Sequence, residues 1–232
     1  MIPNVLDEAT SLLLEDLNKV FDISFEQKNI DYCVVVQKNN MATIYYNPKN
    51  VNTESIVHEL LHIWLKKFNY SIGNHLFLCT QSDKKLNKFL YKFLCDYIGN
   101  CCDHLKMYPK YLEMGYSPKE FLKNGLELKT SLGHLKKIRL KFLGIYSGHS
   151  INLFIGCLIS ILADHIKEND YTEHLIYLKK KDLALYEIIV NFWEKWKVFN
   201  IHNIDPIYNS DLELISILID ELTVWVNNKI II

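Results

Sequence analysis

The stretch Asn52–Asn69, NTESIVHELLHIWLKKFN, is the part of the chain around which the rest can be interpreted. It contains His58, Glu59 and His62 in the pattern H-E-x-x-H. Residues four apart lie on the same face of an α-helix, one turn apart. Two imidazoles at this spacing can hold one zinc ion, and the glutamate beside them is placed to take a proton from water. The stretch therefore predicts a helix that carries most of a metal site.

Signals for this helix are present at both of its ends. Asn52 or Thr53 can cap the N-terminus, and Glu54 lies in the first turn, where a negative charge is favourable. Lys66 and Lys67 come at the C-terminal end, where cations are favourable. The body of the helix is apolar almost all round, with Ile56, Val57, Leu60, Leu61, Ile63, Trp64 and Leu65. That pattern is typical of a buried helix.

The ten residues SIVHELLHIW, 55–64, resemble the extended signature of the zincin metallopeptidases. That signature keeps the positions around H-E-x-x-H uncharged and ends in a hydrophobic residue, as this stretch does. The resemblance implies that His58 and His62 bind zinc. It also implies that Glu59 acts as general base for a zinc-activated water that attacks a peptide carbonyl. The substrate implied is a peptide or protein.

A third metal ligand must come from elsewhere in the chain, because a catalytic zinc has three protein ligands and one open position. The longer pattern H-E-x-x-H-x-x-G-x-x-H fails, since Leu65 and Phe68 stand at its later positions. A glutamate ligand on a following helix is the other common arrangement. No glutamate occurs between Glu59 and Glu113.

The remaining candidates for the third ligand lie mostly on the next long predicted helix. His104 is favoured, and Asp103 is the alternative, which would give a set of two histidines and one carboxylate. Asp96, His75 and Glu113 are further candidates. Three tyrosines, Tyr108, Tyr111 and Tyr116, follow these residues, and one of them is a candidate to stabilise an oxyanion.

The remaining sequence predicts an α+β fold that is mainly helical. A helix at residues 6–20 and strands at 32–37 and 42–46 precede the H-E-x-x-H helix. The small N-terminal sheet resembles that of a zincin, which implies that Thr43–Tyr46 is the edge strand that pairs with substrate. Loops are predicted at 71–82 and 146–150. Helices are predicted at 84–107, 117–125, 132–143, 150–168, 172–179, 182–199 and 210–228.

Two regions make up the predicted organisation of the 232 residues. Residues 1–116 form a zincin-like catalytic region with the H-E-x-x-H helix and the ligand helix. Residues 117–232 form a helical region packed on it, and together they are expected to make one continuous domain.

Composition disfavours several classes of partner. The formal net charge is −1 and Arg139 is the single arginine, which disfavours nucleic-acid binding. The basic clusters at 136–141 and 179–181 are interpreted as solvated helix faces. The longest apolar run, residues 151–161, is too short to span a membrane, and no membrane partner is expected. Six cysteines without a C-x-x-C pair, and no visible secretory signal, predict reduced thiols in the cytoplasm.

The sequence therefore predicts a cytoplasmic, zinc-dependent metallopeptidase. One alternative is a zincin-derived binding or regulatory module that keeps the metal site without turnover. Another is a metal-dependent hydrolase that acts on a non-peptide bond. Neither the individual substrate nor the oligomeric state can be read from the sequence.

Overall fold

The computed structural model describes residues 3–122, 127–203 and 210–232. These residues form an α+β structure that is 59% helical, with a small three-stranded sheet near the N-terminus. The predicted fold class, mainly helical α+β with a small N-terminal sheet, is confirmed, although two of these three strands were predicted. The elements, in chain order, are α1 Glu8–Leu17, β1 Asp22–Gln27, β2 Val34–Lys38, β3 Met41–Tyr46, α2 Thr53–Leu65, α3 Ile72–Thr80, α4 Lys92–Glu113, α5 Leu132–Lys137, β4 Lys141–Phe142, β5 Ile145–Tyr146, α6 Gly148–Leu162, α7 Thr172–Lys181, α8 Leu183–Val198, α9 Asp211–Val226 and β6 Ile230–Ile231.

Two compact units divide the chain. The first contains Met1–Asn69 and Lys106–Gly125, and the second contains Tyr70–Leu105 and Leu126–Ile232. The sequence placed a boundary at residue 116, whereas the contacts group residues 70–105 with the second unit. α4 is one continuous helix that begins in the second unit and continues into the first.

In the first unit the sheet has the order β1-β3-β2, with β1 parallel and β2 antiparallel to β3. The prediction that Thr43–Tyr46 forms an edge strand is wrong, because β3 is the central strand. β1 covers one side of it, from the pair Asp22↔Met41 to the pair Gln27↔Tyr46. β1 was not predicted, and its burial pattern explains why: Phe25 is its one buried residue. β2 is the edge strand on the other side.

α2 is the predicted helix, and it begins with a capping box. The Asn52 side chain accepts from the Ser55 backbone N–H at 3.0 Å, and the Ser55 hydroxyl lies 3.3 Å from the Asn52 backbone N–H. Thr53 donates its hydroxyl to the Val5 carbonyl, and α1 packs along α2. The helix ends at Leu65, followed by a 3-10 turn and Asn69 in the left-handed conformation. Seven of its residues are buried, so its position in the first unit is fixed by packing.

α3 occupies residues that were predicted as a loop because of Gly73 and Asn74. In the second unit, Gly73 instead lies at a close contact between α3 and α4. A Cβ on Gly73 would lie 2.9 Å from the Cys95 carbonyl, and a Cβ on Gly99 would lie 2.8 Å from the Gly73 nitrogen. The two glycines allow the backbones of α3 and α4 to approach each other. The loop prediction was wrong because a glycine at a helix contact has the same sequence appearance as a glycine in a turn.

α4 continues through Pro109 to Glu113, although a helix end was predicted before this proline. Proline supplies no N–H for the carbonyl four residues earlier, here that of Leu105. Because the helix continues, His104, Tyr108 and Tyr111 follow at intervals of four and three residues and share one face.

The predictions beyond α4 were confirmed in part. α6, α7, α8 and α9 lie within or close to the predicted helices. The helix predicted for 132–143 is shorter, because α5 ends at Lys137 and β4 and β5 form a hairpin. The loop predicted for 146–150 contains the end of β5 and the start of α6. Of the helix predicted for 117–125, the structure contains the 3-10 turn Pro118–Glu120, and residues 123–126 lie outside the described residues.

All six cysteines have free thiols, as predicted. None of the described helices is both long enough and apolar enough to cross a lipid bilayer.

Within the second unit, one buried carboxylate joins α9 to the start of α3. Asp211 is 2% exposed, accepts from the Ser71 backbone N–H at 2.9 Å, and lies 2.8 Å from His75 Nδ1. Replacing Asp211 with alanine leaves these donors without their acceptor, and a buried unsatisfied donor costs about 1–3 kcal/mol. We expect the free energy of unfolding of Asp211→Ala, measured in urea, to fall by about that amount. The control is Asp220→Ala, which removes an exposed carboxylate from the same helix. Equal stabilities of the two variants would contradict this expectation.

Candidate metal centre

α2 places the three residues of the H-E-x-x-H pattern next to one another. The rings of His58 and His62 have centroids 5.0 Å apart and meet edge to face. Glu59 is buried, with 9% of its surface exposed, and both histidines are partly buried. The regular helix, fixed by its cap and its buried apolar residues, therefore holds two imidazoles one turn apart.

A third imidazole comes from α4. Ring nitrogens of His58, His62 and His104 all lie within 4.8 Å of one another. His104 lies on α4 two residues before Lys106, at which this helix enters the first unit. A tetrahedral zinc ion with nitrogens at about 2.0–2.1 Å keeps them about 3.3 Å apart. The three nitrogens therefore fit such an ion after modest side-chain rotation.

The protonation of His58 suits a metal ligand. Its burial, and secondarily the positive charge that His62 can carry, lower the pKa of His58 to about 3, and a hydrogen bond with the Phe121 backbone has a smaller opposite effect. His58 is therefore a neutral imidazole at neutral pH, which is the form that binds metals. No proton has to be displaced from it when a metal binds.

Glu59 is held by the edge strand β2. Its Oε2 accepts a hydrogen bond from the Val35 backbone N–H at 2.9 Å. Burial raises the pKa of Glu59 to about 7, while His62 and the Val35 hydrogen bond act in the opposite direction. A carboxyl group with a pKa near 7 can accept and return a proton near neutral pH. The sequence did not point to Val35, because this residue contacts Glu59 through its backbone N–H. The direction of that N–H depends on how β2 pairs with β3.

Aromatic rings adjoin His58 on one side. The ring of Phe121 lies 5.1 Å from the His58 ring, 4.9 Å from Tyr108 and 5.0 Å from Tyr111. Phe121 was not predicted, since a lone aromatic carries no signal in the sequence. Of the three candidate tyrosines, Tyr116 donates its hydroxyl to the Asp7 carboxylate, whose oxygens lie 2.7–2.8 Å away.

The other candidates for the third ligand have different neighbours. Within the described residues, the cluster with metal-binding geometry consists of His58, His62 and His104. Asp103 lies beside Tyr70, where burial and, secondarily, the Asp103 charge raise the pKa of the phenol well above its usual range. The remaining three form ion pairs or hydrogen bonds, Asp96 with Lys92, His75 with Asp211 and Glu113 with Lys110.

Comparisons with protein-family models, with curated proteins and with solved structures find no match for this chain. The interpretation of the site therefore depends on the geometry of α2, α4 and β2. What that geometry provides is a set of three nitrogen donors beside a buried carboxyl group.

Proposed function

We propose that the chain is a zinc-dependent hydrolase that cleaves peptide bonds. The observation that carries this proposal is the cluster of His58, His62 and His104 ring nitrogens within 4.8 Å of one another, with Glu59 beside two of them. Three nitrogen donors leave the fourth position of a tetrahedral ion open, which distinguishes catalytic from structural zinc sites. Imidazole also suits several other divalent metals, and zinc is proposed from the similarity of residues 55–64 to the zincin signature.

A bound zinc ion would supply Lewis-acid chemistry, polarising the scissile carbonyl and lowering the pKa of water. The residues of the chain supply the proton transfers. Because Val35 holds Oε2 of Glu59, Oε1 remains to accept the proton of the attacking water. The same carboxyl group can then return the proton to the leaving amine.

The position of β2 supports a peptide as substrate. β2 is the edge of its sheet, it packs beside α2, and its Val35 N–H points away from β3 to Glu59. Since strand residues alternate in direction with a period of two, the backbone of Gln37 faces the same outer side. An extended peptide can add to such an edge through main-chain hydrogen bonds. β2 therefore replaces Thr43–Tyr46 as the strand that we propose to bind substrate.

Hydrolysis of an unfolded protein, with and without metal, tests this function. We expect the full chain loaded with zinc to cleave a reduced, alkylated protein substrate and to lose this activity when a chelator removes the metal. Adding zinc back should restore cleavage, because buried apolar residues also stabilise the two helices that carry the histidines. Stoichiometric zinc without cleavage of any peptide would favour a binding module. Cleavage of esters or other bonds but never of peptides would favour a different hydrolase.

A further inference from the structure

The small sheet of β4, β5 and β6 in the second unit has an exposed apolar face. Its register pairs Phe142 with Ile145, and Ile145 with Ile230. Cross-strand partners lie on the same face of a sheet, so these three side chains are neighbours. Phe142 is 72% exposed, Ile230 is 65% exposed, and Ile145 is also exposed. The opposite face, with Tyr146 and Ile231, is buried.

The hairpin turn beside this face adds a fourth apolar side chain in a strained position. Leu143 and Gly144 form the two-residue turn between β4 and β5, with φ of 48° and 82°. Positive φ at both central residues is the pattern of a type I′ turn, for which Asn-Gly is favoured. A leucine is disfavoured there, and at 85% exposure it gains little from packing within the chain. Strained residues of this kind cluster at functional surfaces.

Several exposed cations lie close to these apolar residues along the chain. No aspartate or glutamate occurs from residue 128 to residue 163. Four exposed cations precede the turn, namely Lys136, Lys137, Arg139 and Lys141. Lys229, which precedes β6, lies 5.7 Å from the centroid of the Tyr146 ring, and Lys141, the cross-strand partner of Tyr146, approaches it at 5.8 Å, so these two cations border the other face of the sheet. The sequence alone suggested a solvated helix face for 136–141, but α5 ends at Lys137, so Arg139 and Lys141 belong to the exposed segment that leads into β4 and the apolar turn.

We propose that this apolar face, defined by Phe142, Leu143, Ile145 and Ile230, docks on an anionic lipid membrane. The turn would enter the boundary between headgroups and acyl chains, and the cations would lie against anionic headgroups. This inference does not depend on the metal site. It differs from the expectation, drawn from the sequence, that the chain has no membrane partner.

Charge and size favour a membrane over a protein partner. Pairing of two copies through this face would bring their lysine clusters together, and like charges across an interface are unfavourable. Stable protein interfaces bury roughly 1,200–2,000 Å², much more than four side chains provide. A few apolar side chains together with several cations are sufficient for reversible membrane binding.

Co-sedimentation of the full chain with vesicles tests the proposal. We expect binding to vesicles of equimolar phosphatidylcholine and phosphatidylserine, and much weaker binding to phosphatidylcholine alone. Phe142→Ser should weaken binding by roughly tenfold, since burying a phenylalanine is worth about that factor or more. Phe93→Ser is the matched control, because Phe93 is 75% exposed and lies on α4. It should bind as the parent does.

The turn and the cations provide two further comparisons. Leu143→Asn should raise or preserve the thermal midpoint, since asparagine suits the turn, yet weaken vesicle binding by roughly tenfold. The double change Lys136→Gln with Lys137→Gln should weaken binding to the anionic vesicles by more than tenfold at low salt. The corresponding pair on α7, Lys179→Gln with Lys180→Gln, removes the same charge elsewhere and should have a much smaller effect.

Three results would overturn the proposal. They are the absence of binding to anionic vesicles, equal loss of binding in Phe93→Ser and Phe142→Ser, and a dimer in light scattering that Phe142→Ser dissociates. The last result would assign the face to a second copy of the chain.

Discussion

Replacing His104 with alanine is expected to weaken zinc binding by at least 10–100-fold. That is the range found when a residue that hydrogen-bonds to a metal ligand is lost, and loss of a ligand itself should cost at least as much. The physical reason is that the ring nitrogens of His58 and His62 alone leave two of the four positions of a tetrahedral ion to water. Zinc titration of the metal-free chain against a coloured chelator measures the change. His58→Ala and His62→Ala should give losses of the same kind, since all three residues contribute one nitrogen.

Asp103→Ala is the matched control, because Asp103 precedes His104 on α4 and was the alternative third ligand. Its neighbour is Tyr70, so its removal should leave the zinc affinity close to that of the parent. The reverse order of affinities would assign the third position to Asp103. Unchanged affinity in both variants would mean that neither residue binds the ion.

The part of the site on α2 was predictable because all its determinants are local. The Asn52 cap, the spacing of His58 and His62, and the apolar body of the helix are properties of one continuous segment. His104 could be favoured only by elimination. The absence of glutamate between Glu59 and Glu113 excluded a glutamate ligand from that segment, but it did not show which residue faces the two histidines. Its contribution depends on the direction of α4, which no local pattern contains.

The errors have a common physical cause, which is that tertiary contacts changed the meaning of local signals. Gly73 and Pro109 both suggested breaks, yet one lies at a close helix contact and the other within a continuous helix. β1 lacks an alternating pattern because five of its six residues are not buried. Once β1 pairs with β3, the edge strand near the site must be β2, and its Val35 N–H meets Glu59. The hydrogen bond from Val35 to Glu59 therefore follows from the order of the strands and not from the residue type at position 35.

Replacing Glu59 with glutamine is expected to lower kcat/KM for a peptide substrate by roughly 10²–10⁴-fold while zinc binding and folding are retained. Glutamine keeps the size of the side chain and an oxygen that can accept from the Val35 N–H, so the structure around position 59 should be unchanged. What it loses is the ability to accept a proton from the attacking water. Activity assays and a zinc titration on the same preparation separate these two effects.

Glu26→Gln is the control for this prediction, since it removes an exposed carboxylate from β1, which lies at the other edge of the sheet from β2. It should keep both zinc and activity. If Glu59→Gln cleaves the peptide as fast as the parent, Glu59 is not the general base, and the carboxyl group then serves to join α2 to β2 through Val35. Loss of zinc in Glu59→Gln would instead make Glu59 part of the metal-binding set, because the amide is a much weaker ligand than the carboxylate. Zinc retained with activity lost is the one combination that assigns proton transfer to Glu59, since it removes both of these structural explanations.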